Sequence, residues 1–336
     1  MKPTIKDIAE AADVSPATVS NTFNNRKGVS DKIRRQVFKV AKDLGYNKDT
    51  SVQRRSIRFV IYKRHGFVIS DTPFFSSLIE GIGKQCRALG YELLISHVNL
   101  GDDDYKATID DINSNHSSGI ILLATEMTEE DIELFHNFRL PMLLLDSYLK
   151  SNTIDSVLIN NTDAAYKATK FLLEKGHKDV GYLHSSVYIN NFNFRRQGYL
   201  EAINEYGLKA DEKYQISLEP TIEGACKDMK AFLNKKSRVL PTAFFADNDI
   251  IAFGAMKALL ENGIKIPDDV SIVGFDDMPF CEMTQPRLTT IKVFKQEMGS
   301  IAVKRLVEKI EGKDSVIQKI ELGTELVERD SHKHTV

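Results

Sequence analysis

A chain of 336 residues, 42% hydrophobic and 27% charged with no low-complexity tract, has ordinary globular composition, and its length favours two or three compact units over one. Three cysteines without a CxxC or a nearby His at metal spacing support neither a disulfide framework nor a zinc site. No apolar run reaches the roughly 18 residues of a membrane span, and MKPTIKDIAE carries charges where a signal peptide needs an apolar core. The net charge of −2 conceals an asymmetry: residues 1–58 hold 13 Lys and Arg against 6 Asp and Glu, so a small basic head precedes an acidic body and an anionic partner, nucleic acid, is expected for the head alone.

The head resolves into three short helical patterns. Thr4 is a natural N-cap with Asp7 three residues on, and Ile5, Ile8, Ala9 and Ala12 share one helical face. Asp13 falls where a tight turn needs a left-handed backbone, and Val14 anchors that turn. Ser15 caps a second helix, Pro16 sits in its first turn where a missing N–H costs nothing, and Val19 and Phe23 supply its buried face. After a polar loop, Ser30 caps a third helix whose apolar stripe is Ile33, Val37, Val40, Ala41 and Leu44, ended by Gly45. Two short helices joined by a tight turn, with a third closing the core, make a helix-turn-helix. The front of its second helix must be small, polar and unburied to enter a major groove.

From Ser56 the pattern alternates: IRFVIY, a helix from about Phe74 to Leu89, YELLIS, a helix from about Tyr105, GIILLA, a helix near Glu129, and PMLLLD. A second set follows, with a helix from about Asp163 to Lys175, DVGYLH, a helix around Arg195 to Glu205, a helix from Ile222, TAFFAD, a helix from Asp249 to Asn262, and VSIVGF. This predicts two tandem α/β units with parallel sheets, then a final helix from Lys295 to Glu311 and a frayed end from about Arg329.

TIKDIAEAADVSPATVSNTFN followed by VSDKIRRQVFKVAKDLGY resembles the head of the LacI/GalR family of bacterial transcription regulators. The resemblance implies that Pro16, Ala17 and Asn21 read bases and that Thr18 and Ser20 hold phosphates, with Thr4, Ser15, Asn24 and Val29 completing the DNA-facing set. Asn21 can pair with adenine, whereas Pro16 and Ala17 offer only apolar contact. The family continues with a proline and a hinge helix whose leucine wedges into the minor groove. Here the chain reads NKDTSVQRRSIRFVIY instead, with Arg55 at the leucine position and Arg54 before it. The expected consequence is a hinge that binds electrostatically, with less kinking.

The body is similar to the family's type I periplasmic-binding-protein fold, whose ligands sit at the carboxyl ends of strands between two lobes. By that resemblance the effector site draws on Asp71, Phe74 and Phe75 from the segment matching N-P-F-F. Asp146 and Asn160 at strand ends join it, with Asn161 as a helix cap. Arg195 comes from R-x-x-G, Glu219 stands beside Leu218 where an aromatic lid is common, and Asn248 and Asp276 complete the set. Vicinal hydroxyls suit an aspartate and an arginine fork, so a sugar or glycoside is the expected effector and a purine-like corepressor the alternative.

The expected organisation is α + α/β. A helix-turn-helix head spans residues 1–46 and a basic hinge 47–56. An effector-binding and dimerisation body spans 57–330, in lobes of 57–160 plus 292–318 and 161–291 plus 319–330. Expected partners are a double-stranded operator, a sugar-like effector and a second copy in a homodimer. The absence of C-terminal heptads argues against a tetramer. An enzyme is not expected, because no G-x-G-x-x-G follows the first strand and no P-loop, G-x-S-x-G or zinc spacing occurs, and no cofactor or metal is called for. A free sugar-binding protein would need export and no DNA-reading head.

Overall fold

The computed structural model describes residues 3–23, 29–44, 55–69, 73–114, 117–150, 153–235 and 239–335, in two compact units that divide between Arg55 and Ser56. The head holds α1 (Ile5–Ala11), α2 (Pro16–Phe23) and α3 (Asp31–Asp43) around a small core of Ile8, Ala9, Ala12, Val19, Val37 and Ala41. Phe23 meets Phe38 edge-on, with centroids 5.7 Å apart. Leu44, expected in the apolar stripe, is largely exposed, because it stands past the end of α3. Gly45, Asn24 and residues 47–54 lie outside the described residues.

The body begins with β1 (Ser56–Lys63), α4 (Pro73–Ala88), β2 (Glu92–Asn99), α5 (Tyr105–Ser114), β3 (Gly119–Leu123), β4 (Met142–Leu145) and β5 (Asp155–Ile159). It continues with α6 (Asn161–Glu174), β6 (Val180–Ser185), α7 (Asn190–Glu205), β7 (Gln215–Leu218), α8 (Ile222–Leu233), β8 (Ala243–Ala246), α9 (Asp249–Glu261), β9 (Ser271–Asp276) and β10 (Thr289–Lys292). It closes with α10 (Lys295–Ile310), β11 (Lys319–Leu322) and β12 (Glu325–Val327). The helix expected near Glu129 is a single 3-10 turn over Asp131–Phe135.

Among the described residues the strands form two six-stranded sheets, ordered β11-β5-β4-β3-β1-β2 and β12-β10-β9-β8-β6-β7. Among the described residues every strand pairing is parallel except β10 with β12. Helices cover both faces of a parallel sheet, so its strands are continuous apolar runs: all of Gly119–Leu123 and Ala243–Ala246 are buried. Gly198 lets α7 lie against α6, since a Cβ there would stand 2.0 Å from the Thr162 carbonyl oxygen.

Three boundaries differ from expectation. Residues 319–322 were expected in the second lobe, yet β11 pairs with β5 from Lys319↔Ser156 to Leu322↔Ile159, so the chain crosses back only after Leu322. Ser56, placed in the hinge, already belongs to β1 and pairs with Glu92. The end expected to fray from Arg329 is ordered: Ser331 is fully buried, its carbonyl accepts from Ile272 N–H at 2.7 Å, and its hydroxyl donates to Ile272 O at 2.6 Å and accepts from Thr289 N–H at 2.8 Å. A polar sequence reads as solvated, but here its polar atoms satisfy the backbone of β9 and β10.

Candidate nucleic-acid interface and effector cavity

The head's presentation follows from its caps. Thr4 and Asp7 form a reciprocal capping box, with Thr4 N–H to Asp7 Oδ2 at 2.6 Å and Asp7 N–H to Thr4 Oγ1 at 3.4 Å. The backbone bond from Thr4 holds the Asp7 carboxyl below its ordinary value. Asp13 takes φ 49°, and Gln36 of α3 donates to Ala12 O at 3.0 Å, which fixes the turn. Ser15 Oγ accepts the Thr18 N–H at 3.1 Å, starting α2. Thr22 points inward and donates to Thr18 O at 2.8 Å. Ser15, Pro16 and Ala17 are exposed, and Thr18, Ser20, Asn21 and Val29 partly so, which leaves the front of α2 available to a groove. Thr4 and Arg55 are exposed as well; Arg54 and Asn24 lie outside the described residues.

In the body, strand ends and helix starts converge on one narrow cavity with about 40 Å³ of free space. It is lined by Phe74, Phe75, Thr125, Asp146, Asn191, Arg195, Asn248 and Asp276, with Phe192 and Met278 among its apolar walls. Phe74 and Phe75 meet edge-on at 5.0 Å. Asp146 follows β4 at φ 62°; its carboxylate accepts from Thr125 Oγ1 at 2.7 Å and from Asn191 Nδ2 at 3.2 Å. Asn248 caps α9 through Ile251 N–H at 2.9 Å and faces the cavity. Asp276 ends β9 at φ 114°.

Arg195 sits buried at the centre. Its Nε donates to Asn161 Oδ1 at 2.9 Å, its Nη1 to Asp247 O at 2.5 Å, and its guanidinium carbon lies 3.6 Å above the Phe275 ring. Only Nη2 turns towards Asp276 Oδ1, at 3.7 Å, too far for a hydrogen bond. The fork that the resemblance assigns to ligand is thus largely engaged by the protein itself. Asp276 Oδ1 and Asn191 Oδ1 are buried acceptors without a hydrogen-bond partner among the described residues.

Burial raises four carboxyls in this part of the body: Asp146 to about 6, Asp247 and Asp249 to about 7, and Asp276 upward, with Arg195 and then Lys295 opposing the last. Asp247 accepts from the Tyr182 hydroxyl and from Ser185 N–H, and Asp249 accepts from Met278 N–H at 2.9 Å and Thr290 Oγ1 at 2.6 Å. Among the described residues no group of His, Cys, Asp and Glu is arranged to hold a metal, and no helix is long and apolar enough to cross a membrane.

Six of the expected effector residues therefore share the cavity: Phe74, Phe75, Asp146, Arg195, Asn248 and Asp276. Two do not. Asn160 Oδ1 accepts Asp163 N–H at 2.9 Å, so Asn160 is the cap of α6, and Asn161, the expected cap, is instead the partner of Arg195. Glu219 accepts from Thr221 Oγ1 at 2.7 Å and sits by the start of α8, where a carboxylate offsets the helix dipole. Asp71 lies outside the described residues. Thr125 and Asn191 were not among the expected residues; Asn191 stands four residues before Arg195, a spacing that shares one helix face.

Residues 4–49 match the family described as bacterial regulatory proteins, lacI family, and residues 169–332 match a periplasmic binding protein-like domain. The HTH-type transcriptional repressor PurR of Mannheimia succiniciproducens is 32% identical over 335 residues, 98% of either chain. The chain belongs to the lacI family. PurR of Photorhabdus laumondii is 31% identical over 332 residues, covering 98% of this chain and 96% of that one. The solved complex of the transcriptional regulator CelR with cellobiose gives a TM-score of 0.74 at 24% identity, over 98% of this chain and 100% of that one. The lac repressor dimer bound to operator and the anti-inducer ONPF gives 0.73 at 23%, over 99% and 100%. These structural likenesses bear on the fold, and this LacI-family protein is a DNA-binding transcription regulator with a two-lobed body.

Proposed function

We propose that this regulator is a repressor that binds a near-palindromic operator as a homodimer, and that a sugar or glycoside in the interlobe cavity sets its operator affinity. The observation that carries the effector reading is the pair of buried acceptors without a hydrogen bond among the described residues, Asp276 Oδ1 and Asn191 Oδ1, beside the rings of Phe74, Phe75 and Phe192. Leaving such atoms unmade costs free energy, and hydroxyls from a ring with one apolar face would satisfy them. Arg195 then acts mainly as the cation that opposes the rise which burial imposes on the Asp276 carboxyl. The cavity is acceptor-rich, which favours a neutral polyol over a phosphorylated or carboxylated ligand. Binding that favours one lobe arrangement shifts the population of DNA-competent dimers.

At the operator, Asn21 supplies base discrimination, Pro16 and Ala17 apolar contact, Thr18 and Ser20 phosphate contact, and Thr4, Ser15, Asn24 and Val29 support. Residues 47–55 act as an electrostatic hinge through Arg54 and Arg55. The protein is a cytoplasmic regulator rather than an enzyme, with no cofactor.

A purine-like corepressor is the second reading, favoured by full-length similarity to proteins named PurR. Purine N–H groups would also meet the two acceptors, and a flat base would stack on the phenylalanines. Thermal-shift screening of the full chain against sugars, glycosides, sugar phosphates and nucleobases separates the two. Stabilisation by a neutral sugar is expected, and stabilisation by nucleobases alone would overturn the sugar reading.

A further inference from the structure

The segment after β1 is built around one carboxylate. Glu126 lies just past β3, 1% exposed, and accepts five backbone N–H groups. Arg64, His65 and Gly66 donate to Oε2 at 2.9, 3.0 and 2.9 Å, and Val68 and Ile69 to Oε1 at 2.9 Å each. His65 Nδ1 adds a contact at 3.3 Å. Gly66 adopts φ 71°, which lets the backbone curl so that donors on both sides of it face the same anion. Burial alone would raise this carboxyl, but the bonds from His65, Ile69 and Gly66 outweigh it and hold it at about 2, so it is a permanent anion.

This arrangement touches the effector cavity twice. Val68 lines the cavity, so the curled segment is part of its wall. Thr125, the neighbour of Glu126, also lines it and donates to Asp146. Arg64 reinforces the attachment from outside, pairing with Asp131 at 2.5 Å and Thr128 at 3.2 Å. One short turn after β3 therefore fixes both an acidic side chain of the cavity and a stretch of its rim.

We propose that Glu126 is a positioning residue for effector binding, an internal anchor that holds the Arg64–Ile69 segment as a wall of the cavity. This rests on the reading of the cavity as the effector site. The segment has no strand or helix bonds of its own, so its shape depends on the anion it wraps. With the anchor in place the wall is preformed, and a ligand meets it without first ordering six residues. Without it the backbone donors turn to water and the ligand must restore the wall at its own expense of affinity.

Glu126→Gln tests this in the full-length protein, because an amide keeps the shape while placing an NH2 against backbone N–H donors. Hydrogen exchange of residues 64–69 should accelerate at least tenfold while β3 and β9 keep their protection. Affinity for whichever of cellobiose, ribose or hypoxanthine binds the wild type should fall at least tenfold. Glu126→Asp, which retains the anion, should recover part of both effects, and the exposed Glu130→Gln should change neither. Unaltered protection at 64–69 would overturn the proposal. So would an equal loss of protection across β3, which would mean a general scaffold role, or a released segment with unaltered ligand affinity. If none of the three compounds binds the wild type, the effector reading fails for these chemistries, and the exchange comparison still decides whether Glu126 holds the wall.

Discussion

Arg195 Nε donates to Asn161 Oδ1 at 2.9 Å, and this bond links the start of α6 to the face of α7 that looks into the cavity. The guanidinium is oriented before any ligand arrives. Asn161→Leu removes the acceptor and leaves a buried charged donor unmatched. A loss of about 1.5–3 kcal/mol is expected, the range for hydrogen bonds to charged groups. Urea denaturation of the full chain measures it, and a change below about 0.5 kcal/mol would mean that the Asp247 carbonyl and the Phe275 ring set the arginine without Asn161.

Asp146 gives a pH dependence with two opposite signs. Burial places its carboxyl at about 6 in the folded protein, above the unfolded value of about 4, so the folded state binds more protons between those limits. Stability contributed by this group is present at low pH and falls as pH rises through that window. Compared with Asp146→Asn, which does not titrate, the wild type should therefore lose relative stability between pH 4 and 7. Effector affinity should run the other way, because the ionised carboxylate is the better acceptor for hydroxyls, and should strengthen as pH rises through 6. Isothermal titration at pH 5 and 7.5 checks this; equal affinities would remove Asp146 from the ligand's contacts.

Asn21 and Arg55 should fail differently at the operator. Asn21→Ala is expected to relax base preference at one position, at about 1–3 kcal/mol of discrimination, with little change in salt dependence. Arg55→Ala should weaken binding to all sequences alike and reduce the salt slope by about one. Selection of bound sequences from a random pool, followed by titration across salt, distinguishes them. For Arg55→Leu, a large gain in both operator bending and affinity would reveal an intact wedge position and defeat the electrostatic hinge.

Ser331→Val should destabilise the body. It removes a buried hydroxyl that bonds both Thr289 N–H and Ile272 O, at an expected cost of about 1–3 kcal/mol. A frayed tail would show no change in unfolding midpoint.

The features legible in the sequence were those decided within a few residues. Thr4 with Asp7, Asp13 at its turn, and Ser15 before Pro16 all rest on local hydrogen bonding and backbone preference, and the structure has each in that arrangement. The family resemblance also picked out six residues that line one cavity, Phe74, Phe75, Asp146, Arg195, Asn248 and Asp276. What escaped depends on distant partners. KIEL at 319–322 is too short to declare its sheet, which is chosen by pairing with β5. Asn160 and Asn161 differ by one step around a helix start, and only the position of Arg195 separates cap from contact. The Glu126 site has almost no side-chain signature, because its five donors are backbone amides and Gly66 is the single local hint.

The order in which the chain visits its lobes has a consequence for synthesis. The first sheet is completed by β11 and the second by β12, both made of residues within the last twentieth or so of the chain. On the ribosome neither lobe can close its sheet as it emerges, and both wait for the same terminal stretch. A nascent or truncated chain thus carries a finished DNA-reading head attached to two unfinished lobes, and the cell receives the sensing half of the molecule only when translation is essentially over.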